Sequence, residues 1–442
     1  MTVHSPSAFP GDLFLAPYSG PGQYGPMILD ENGAVVWFKA LSPQGTRASD
    51  FRVQQYEGKP VLTWWQDPLV GNGQRNAGEV IANSAYQQIA IVRAGNGYQP
   101  DLHEFQITPQ GTALITIYNG IDCNLSAVGG PKDGAVADTL MQEIDLKTGL
   151  VMFEWHSLDH VALADSYASS VHASQTTPFD YFHINSTDIE QDGDLLIDAR
   201  NTWAAYDVDP LTGRVRWKLG GKHSSFAMGP GARPAWQHDA RQQPDGTITF
   251  FDNGATPITH PQSRAIQLML DMPHMTATLI RHDEHPKPLV AGSQGNVQAL
   301  ANGNWVVGWG EAPYLSEFSP AGALLFDAHL PAAYESYRTY RLPWTGQPTG
   351  APAVAYLRAP VAQGGGVVYA SWNGATQVAS WRVLAGSSPA SLAPASSAVK
   401  TGFETAIALS GAAASPYAAV QALDASGAVI GVSAAVKMSA SA

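Results

Sequence analysis

A chain of 442 residues with 45% hydrophobic content is too long for one ordinary core, so two domains, or one large repetitive domain with a small companion, are expected. Only 14% of the residues are charged while Gly (43), Pro (31) and Trp (12) are plentiful, which suits many short strands and turns and points to an all-β class. The formal charge of −13 provides no basic stripe for phosphates and argues against nucleic acid as a partner, and the lone Cys123 excludes an internal disulfide or a cysteine-based zinc site.

At the N-terminus, "MTVHSPSAFPGDLFLAPYSG" has no basic segment followed by an apolar run. No later stretch approaches the roughly 18 apolar residues that span a bilayer. A cytoplasmic chain with no membrane partner is therefore expected.

From there two hairpin patterns alternate along the chain. The first is "LDENGAVVWF", "IDLKTGLVMFEW", "VDPLTGRVRWKL" and "FSPAGALLFDAHL", each a strand, a polar turn and a second strand. In each, a turn glycine (Gly33, Gly149, Gly213, Gly322) is followed four residues later by an aromatic (Trp37, Phe153, Trp217, Phe326). These glycines lie 116, 64 and 109 residues apart, so each long interval is expected to hide a degenerate copy, in "IVRAGNGYQP" and in "LMLDMPHMTATLIRH". That makes six units of roughly 55–65 residues, the signature of a β-propeller blade.

The second pattern is "DFRVQQYEGKPVLTWW", "HEFQITPQGTALITIY", "HINSTDIEQDGDLLIDAR", "HDARQQPDGTITFFDN" and "GNVQALANGNWVVGWG", taken as the inner two strands of each blade. Eight residues before the turn glycines Gly58, Gly111, Gly193, Gly246 and Gly303 stand Asp50, His103, Asn185, His238 and Gly295. His183 lies two residues before Asn185, so strand alternation predicts that both project from one face. Together these residues are expected to line one funnel at the mouth of a central channel.

Beyond about residue 345 the pattern changes. "GGGVVYASWNGATQVASWRVLAG" reads as two strands with a buried tryptophan, and "PYAAVQALDASGAVIGVS" as strand, turn and strand. The expectation is a six-bladed β-propeller over 1–348 and a fibronectin III or immunoglobulin-like β-sandwich over 349–442.

His103, His183 and His238, with Glu104 and Asp239 adjacent, are suited to acid/base, nucleophilic or metal-ligand roles. A structural hydrogen-bonded ring is the alternative. No metal-ligand spacing is present, so no metal or cofactor is expected. Arg200 and Arg264, on or beside strands, could each fork onto an oxyanion or form a salt bridge between blades. Asn185, Asp50, Asp239, Arg200, Gln294, Asn296 and Trp236 are the candidate substrate-binding residues.

The run "DYFHINSTD", "WKLGGKHSSF", "WQHDAR", "FFDNG", "SRA" and "GSQGNVQALANGNWVVGWG" resembles the arylsulfotransferase-like propellers, in particular the actinobacterial and fungal branch, over about residues 10–345. The resemblance implies a six-bladed propeller that moves a sulfuryl group from a phenolic sulfate to another phenol through a covalently sulfated histidine, assisted by other histidines and an arginine. It places His183, His238 and Arg264 among the catalytic residues, with His103 added by its position. Where those enzymes carry the covalent histidine, this chain has "VAGSQGNVQ" and no histidine. Three functions follow: sulfuryl transfer on a phenolic or aromatic small molecule; a cytoplasmic tailoring step of secondary metabolism using histidine acid/base chemistry for cyclisation, condensation or elimination; and ligand binding without catalysis.

Overall fold

The computed structural model describes residues 1–42, 45–71, 74–358, 365–409 and 415–439; Gly364, which opens the C-terminal stretch quoted above, lies outside them. Among the described residues the chain is nearly all β. Helix is confined to one short α turn, Ser157–His160, and three 3-10 turns. No helix among them is long and apolar enough to cross a membrane.

The chain divides into two compact units. The first comprises Met1–Pro26, Ala40–Ile81 and Gln88–Leu342, and the second Met27–Lys39, Ala82–Gln87 and Pro343–Ala442. The second unit thus takes two N-terminal segments that no shift of composition marked in the sequence.

The first unit is organised by its innermost strands, β1 (Arg47–Tyr56), β2 (Phe105–Ile107), β3 (Ile184–Ile189), β4 (His238–Gln242), β5 (Asn296–Ala299) and β6 (Tyr340–Leu342). Each of β1 to β5 is the edge of a four- or five-stranded sheet, and β6 pairs with Asp12–Leu15. The sheets are antiparallel except where Ala227–Met228 runs parallel to Thr276–Glu284. The N-terminal strand Val3–His4 pairs with Leu324–His329 and so completes the sheet of β5.

Side-chain hydrogen bonds join the inner strands in a closed cycle. Gln54 of β1 donates through Nε2 to Phe105 O (2.8 Å) and accepts from Ile107 N–H (2.7 Å), copying a backbone ladder with an amide side chain. Gln106 of β2 donates to Asp188 of β3 (3.2 Å), and Asn185 of β3 donates to Gln237 O (3.1 Å) while accepting from Asp239 N–H of β4 (3.0 Å). Val297 N–H of β5 donates to Asp239 (3.1 Å), and Gln298 of β5 pairs with both backbone groups of Arg341 in β6 (2.8 and 2.9 Å). Tyr340 of β6 donates to Asp50 of β1 (2.8 Å), which closes the ring. Apolar clusters fill the spaces between sheets, such as the one containing Trp155, Phe182, Ile184 and Tyr206.

The repeated turn follows one rule and has two exceptions. Gly149 adopts φ +72°, a left-handed conformation that L side chains resist. The turn joining Arg264–Asp271 to Thr276–Glu284 has Met275 at that place (φ +49°), and the turn before Gln88–Val92 has Tyr86 (φ +63°). The copy expected in "LMLDMPHMTATLIRH" is therefore present without its glycine. The copy expected in "IVRAGNGYQP" falls too late: its turn is at residues 83–87, and Gly97 lies in the exit loop.

The second unit contains a three-stranded sheet (Ala353–Arg358, Gly366–Ser371, Glu404–Leu409) and a sheet built around Ala393–Val399, Ser380–Gly386, Tyr417–Leu423 and Val429–Val432. Its core includes Tyr356, Val368, Trp381, Val383, Ile407 and Val420. Trp381 is the buried tryptophan of the sequence pattern.

Candidate active site of two Asp–His pairs

His103, His183 and His238 stand at or just before the starts of β2, β3 and β4, and the closed cycle of strands brings them together. The His103 and His183 rings are 5.0 Å apart, and those of His183 and His238 are 6.3 Å apart. Two tyrosines absent from the sequence reading complete the group. Tyr118 stacks on His103 at 5.3 Å, and Tyr337 meets His103 at 5.4 Å and His238 at 6.3 Å. Both phenols are buried, which raises them well above their ordinary value, so they act as donors, Tyr118 to Ile184 O (2.7 Å) and Tyr337 to Asn185 O (3.2 Å).

The three histidines differ in what their nitrogens can do. Asn253 donates through Nδ2 to Ala291 O (3.0 Å) and Gln294 O (2.9 Å), so its Oδ1 must be the acceptor facing His238 Nδ1 at 2.8 Å. His238 Nδ1 then carries the hydrogen, and Nε2 accepts from Gln294 N–H at 3.1 Å. Both nitrogens are committed, the residue is 1% exposed, and burial followed by the charge of Arg200 holds the ring well below its ordinary value. His238 is thus held neutral, with neither ring nitrogen free.

His183 and His103 are arranged differently. His183 Nδ1 meets Asp180 Oδ2, and His103 Nδ1 meets Asp101 Oδ1. Burial works to raise the Asp180 carboxyl, but the adjacent His183 ring, His103 and Arg200 hold it below the usual carboxylate range. An ionised carboxylate only accepts, so His183 Nδ1 donates and Nε2 keeps its lone pair. Burial pushes His183 below its ordinary value, against the pull of Asp180. The ring is therefore neutral at pH 7. Neither His183 nor His103 has a hydrogen-bond partner for Nε2 among the described residues, and the His183 side chain is 21% exposed.

Of the two arginines, Arg200 lies at this cluster. Its N–H donates to His183 O (3.0 Å), its guanidinium donates to Asn201 Oδ1 and Gly292 O (both 2.8 Å), and it sits 4.8 Å over the Trp236 ring. Its charge bears on His183, His238 and Asp180. Arg264 instead bonds Asp252 (2.9 Å) and Gly231 O (2.9 Å), with no contact to a histidine of the cluster.

The other expected residues divide in the same way. Trp236 borders Arg200, and Gln294 caps His238 and donates to Glu335 (2.9 Å). Asn185 does not share a face with His183: the ladder shifts register between Ile184 and Ser186, His183 has φ +60°, and the Asn185 amide turns into β4. Asn296 makes the same kind of clamp, bonding both backbone groups of Thr339 at 2.9 Å. Asp50 and Asp239 lie on similar bulges in β1 and β4, at φ +50° and +61°. They join a buried ion network of Arg52, Arg241 and Arg338 with Asp50, Glu104 and Asp239. Burial acts to raise Glu104, yet the three arginines bring it down to about 2.

A polar cavity of about 310 Å³, lined from all six inner strands by residues such as Arg52, Gln106, Asp188, Arg241, Gln298 and Tyr340, adjoins this network. A larger cavity of about 530 Å³ lies between the turns at Gly58 and Gly111, where none of the expected residues stands. Among the described residues no three His, Cys, Asp or Glu side chains are arranged to hold a metal ion.

A family model described as Arylsulfotransferase (ASST) matches residues 52–330. No curated protein matches the sequence. Among solved structures, similarity is distant. A protein of unknown function from Bacteroides caccae shares 11% identity over 75% of this chain and 98% of that chain, with a TM-score of 0.47. Virginiamycin B lyase from Staphylococcus aureus gives 8%, 74%, 87% and 0.36, and a calcium-binding protein, regucalcin, from Agrobacterium tumefaciens gives 13%, 73%, 81% and 0.36.

Proposed function

The chain belongs to the arylsulfotransferase family, and from that membership we propose that it transfers a sulfuryl group between phenolic or aromatic small molecules, with Nε2 of His183 as the reacting nitrogen. The observation that carries this reading is the Asp180–His183 pair, which leaves a lone pair on Nε2 of a side chain that is 21% exposed, beside a second Asp–His pair and Arg200. In the first half-reaction Nε2 attacks sulfur, the bond from sulfur to the aryl oxygen breaks, and the leaving phenolate takes a proton from His103. In the second, an acceptor phenol gives its proton to His103, its oxygen attacks sulfur, and the nitrogen–sulfur bond breaks to restore His183. Arg200, already at the cluster, offsets charge on the sulfuryl oxygens. His238 and Arg264 then have structural roles, because both ring nitrogens of His238 are taken by protein partners and Arg264 is bound to Asp252 and Gly231 O away from the histidines.

The same reading takes the five complete sheets and the pair formed by β6 and Asp12–Leu15 as six propeller blades, supported by the closed cycle of inner strands, and the two C-terminal sheets as a β-sandwich.

A second reading keeps both Asp–His pairs for acid/base chemistry on an aromatic substrate without sulfuryl transfer. It is favoured by the engagement of Arg264 away from the histidines. Incubation with para-nitrophenyl sulfate and no acceptor, followed by intact-mass and peptide analysis, separates the two. Sulfuryl transfer predicts one added sulfuryl group on the peptide carrying His183, discharged by added phenol. An unmodified protein that releases no nitrophenolate favours the second reading.

A further inference from the structure

The residues of the histidine cluster alternate in the chain with the buried ion network. His103 is followed by Glu104, His238 by Asp239 and Tyr337 by Arg338. Arg338 enters from just before β6, is wholly buried, and lies outside the matched segment 52–330. Its Nη1 donates to Asp50 of β1 (3.1 Å) and to Glu104 just before β2 (3.2 Å). Its Nη2 donates to Asn185 O of β3 (2.9 Å), and its Nε lies 3.4 Å from Asp239 of β4. One planar fork therefore touches the residue next to His103, the residue next to His238 and the residue two beyond His183. The network balances three guanidinium groups against three carboxylates, and removing either kind leaves a buried uncompensated charge close to the cluster.

We propose that Arg338 is the positioning residue of the histidine site: it locks the starts of β1 to β4 in register and cancels the carboxylate charge next to His103 and His238. This role rests on reading the histidine cluster as the reacting site, but its test needs no turnover. The charged and titratable groups facing His183 are Asp180, His103, His238, Tyr118 and Arg200. All of them are retained in the variants below, so a change in titration reports the network.

The measurement is NMR titration of the His183 ring in the full chain, with its signal assigned by its loss in His183→Gln. Arg338→Met is expected to raise the midpoint by roughly one pH unit, the size expected for one uncompensated charge at an effective dielectric near 20. Arg338→Lys, which keeps the charge and loses the fork, is expected to leave the midpoint in place while broadening the ring signals of all three histidines. Glu104→Gln is expected to lower it by a similar amount, and the double variant to return it to the wild-type value. If Arg338→Met does not fold, Glu104→Gln alone decides the charge balance. A folded Arg338→Met or Glu104→Gln variant with an unmoved midpoint overturns the proposal, as does a double variant that keeps the shift. A loss of nitrophenyl sulfate turnover in wild type with these shifts intact would count against the proposed reaction and leave the role of Arg338 standing.

Discussion

Replacing Glu190 with glutamine should make the protein more stable at alkaline pH and change it little at mildly acidic pH. Glu190 follows β3, is 6% exposed, and accepts from Gln242 Nε2 at 2.8 Å, while its other oxygen has no partner. Burial first, then Asp207, Asp192 and Asp194, push its carboxyl from 4.5 up to about 8. An acid whose folded value lies above its unfolded one keeps its proton in the folded state. The resulting penalty is absent below the unfolded value, grows through the interval from 4.5 to about 8, and is complete above it. Converted in full, the shift corresponds to about 5 kcal/mol. Solvent screening at a turn reduces this to on the order of 2 kcal/mol. Glu190→Gln keeps the size and the acceptor for Gln242 while removing the titration. Thermal unfolding at about pH 5.5 and about pH 8.5, in constant salt, should show a gap between variant and wild type that widens to a few degrees at the higher pH. A gap of equal size at both pH values would mean that Glu190 does not titrate with a raised value in the folded state.

Three further outcomes are expected. Asp180→Asn should lower turnover by about 10- to 100-fold with the fold intact, because the charge-assisted bond that fixes the His183 tautomer is lost; steady-state rates alongside circular dichroism check this. Arg264→Ala should leave nitrophenyl sulfate turnover within about threefold of wild type and lower stability by roughly 1–3 kcal/mol, since it uncovers the buried Asp252 carboxylate, which chemical denaturation measures. Asn185→Ala should cost about 2–4 kcal/mol in the same assay, because Gln237 O and Asp239 N–H lose their partner inside the ring of strands.

Much of this organisation could be read from the sequence wherever a single residue type is forced by backbone geometry. The inner turn glycines, for example Gly111 at φ +82°, mark every complete inner hairpin, and His103 and His238, at equivalent places, do converge with His183. Where a side chain tolerates the left-handed turn, as Tyr86 and Met275 do, the signal disappears and one copy is misplaced. Alternation failed for Asn185 because a bulge inserts an extra residue, and no local motif announces it. Family resemblance drew attention to Arg264, yet the buried carboxylate of Asp252 claims its guanidinium. Asp101 and Asp180 were within reach in "DLH" and "DYFH", where a carboxylate precedes a histidine by two or three residues. Tyr337 and Arg338 lacked such a signal, since they meet the site only through closure of the ring by β6.

The proposed reacting nitrogen is Nε2 of His183, with His238 holding the cluster in place. The direct measurement is nitrophenolate release from para-nitrophenyl sulfate with a phenol acceptor, compared between wild type and His183→Gln after both are shown to be folded. Turnover is expected in the wild type, with a loss of at least about 100-fold in the variant. A folded His183→Gln protein that turns over at the wild-type rate would contradict it.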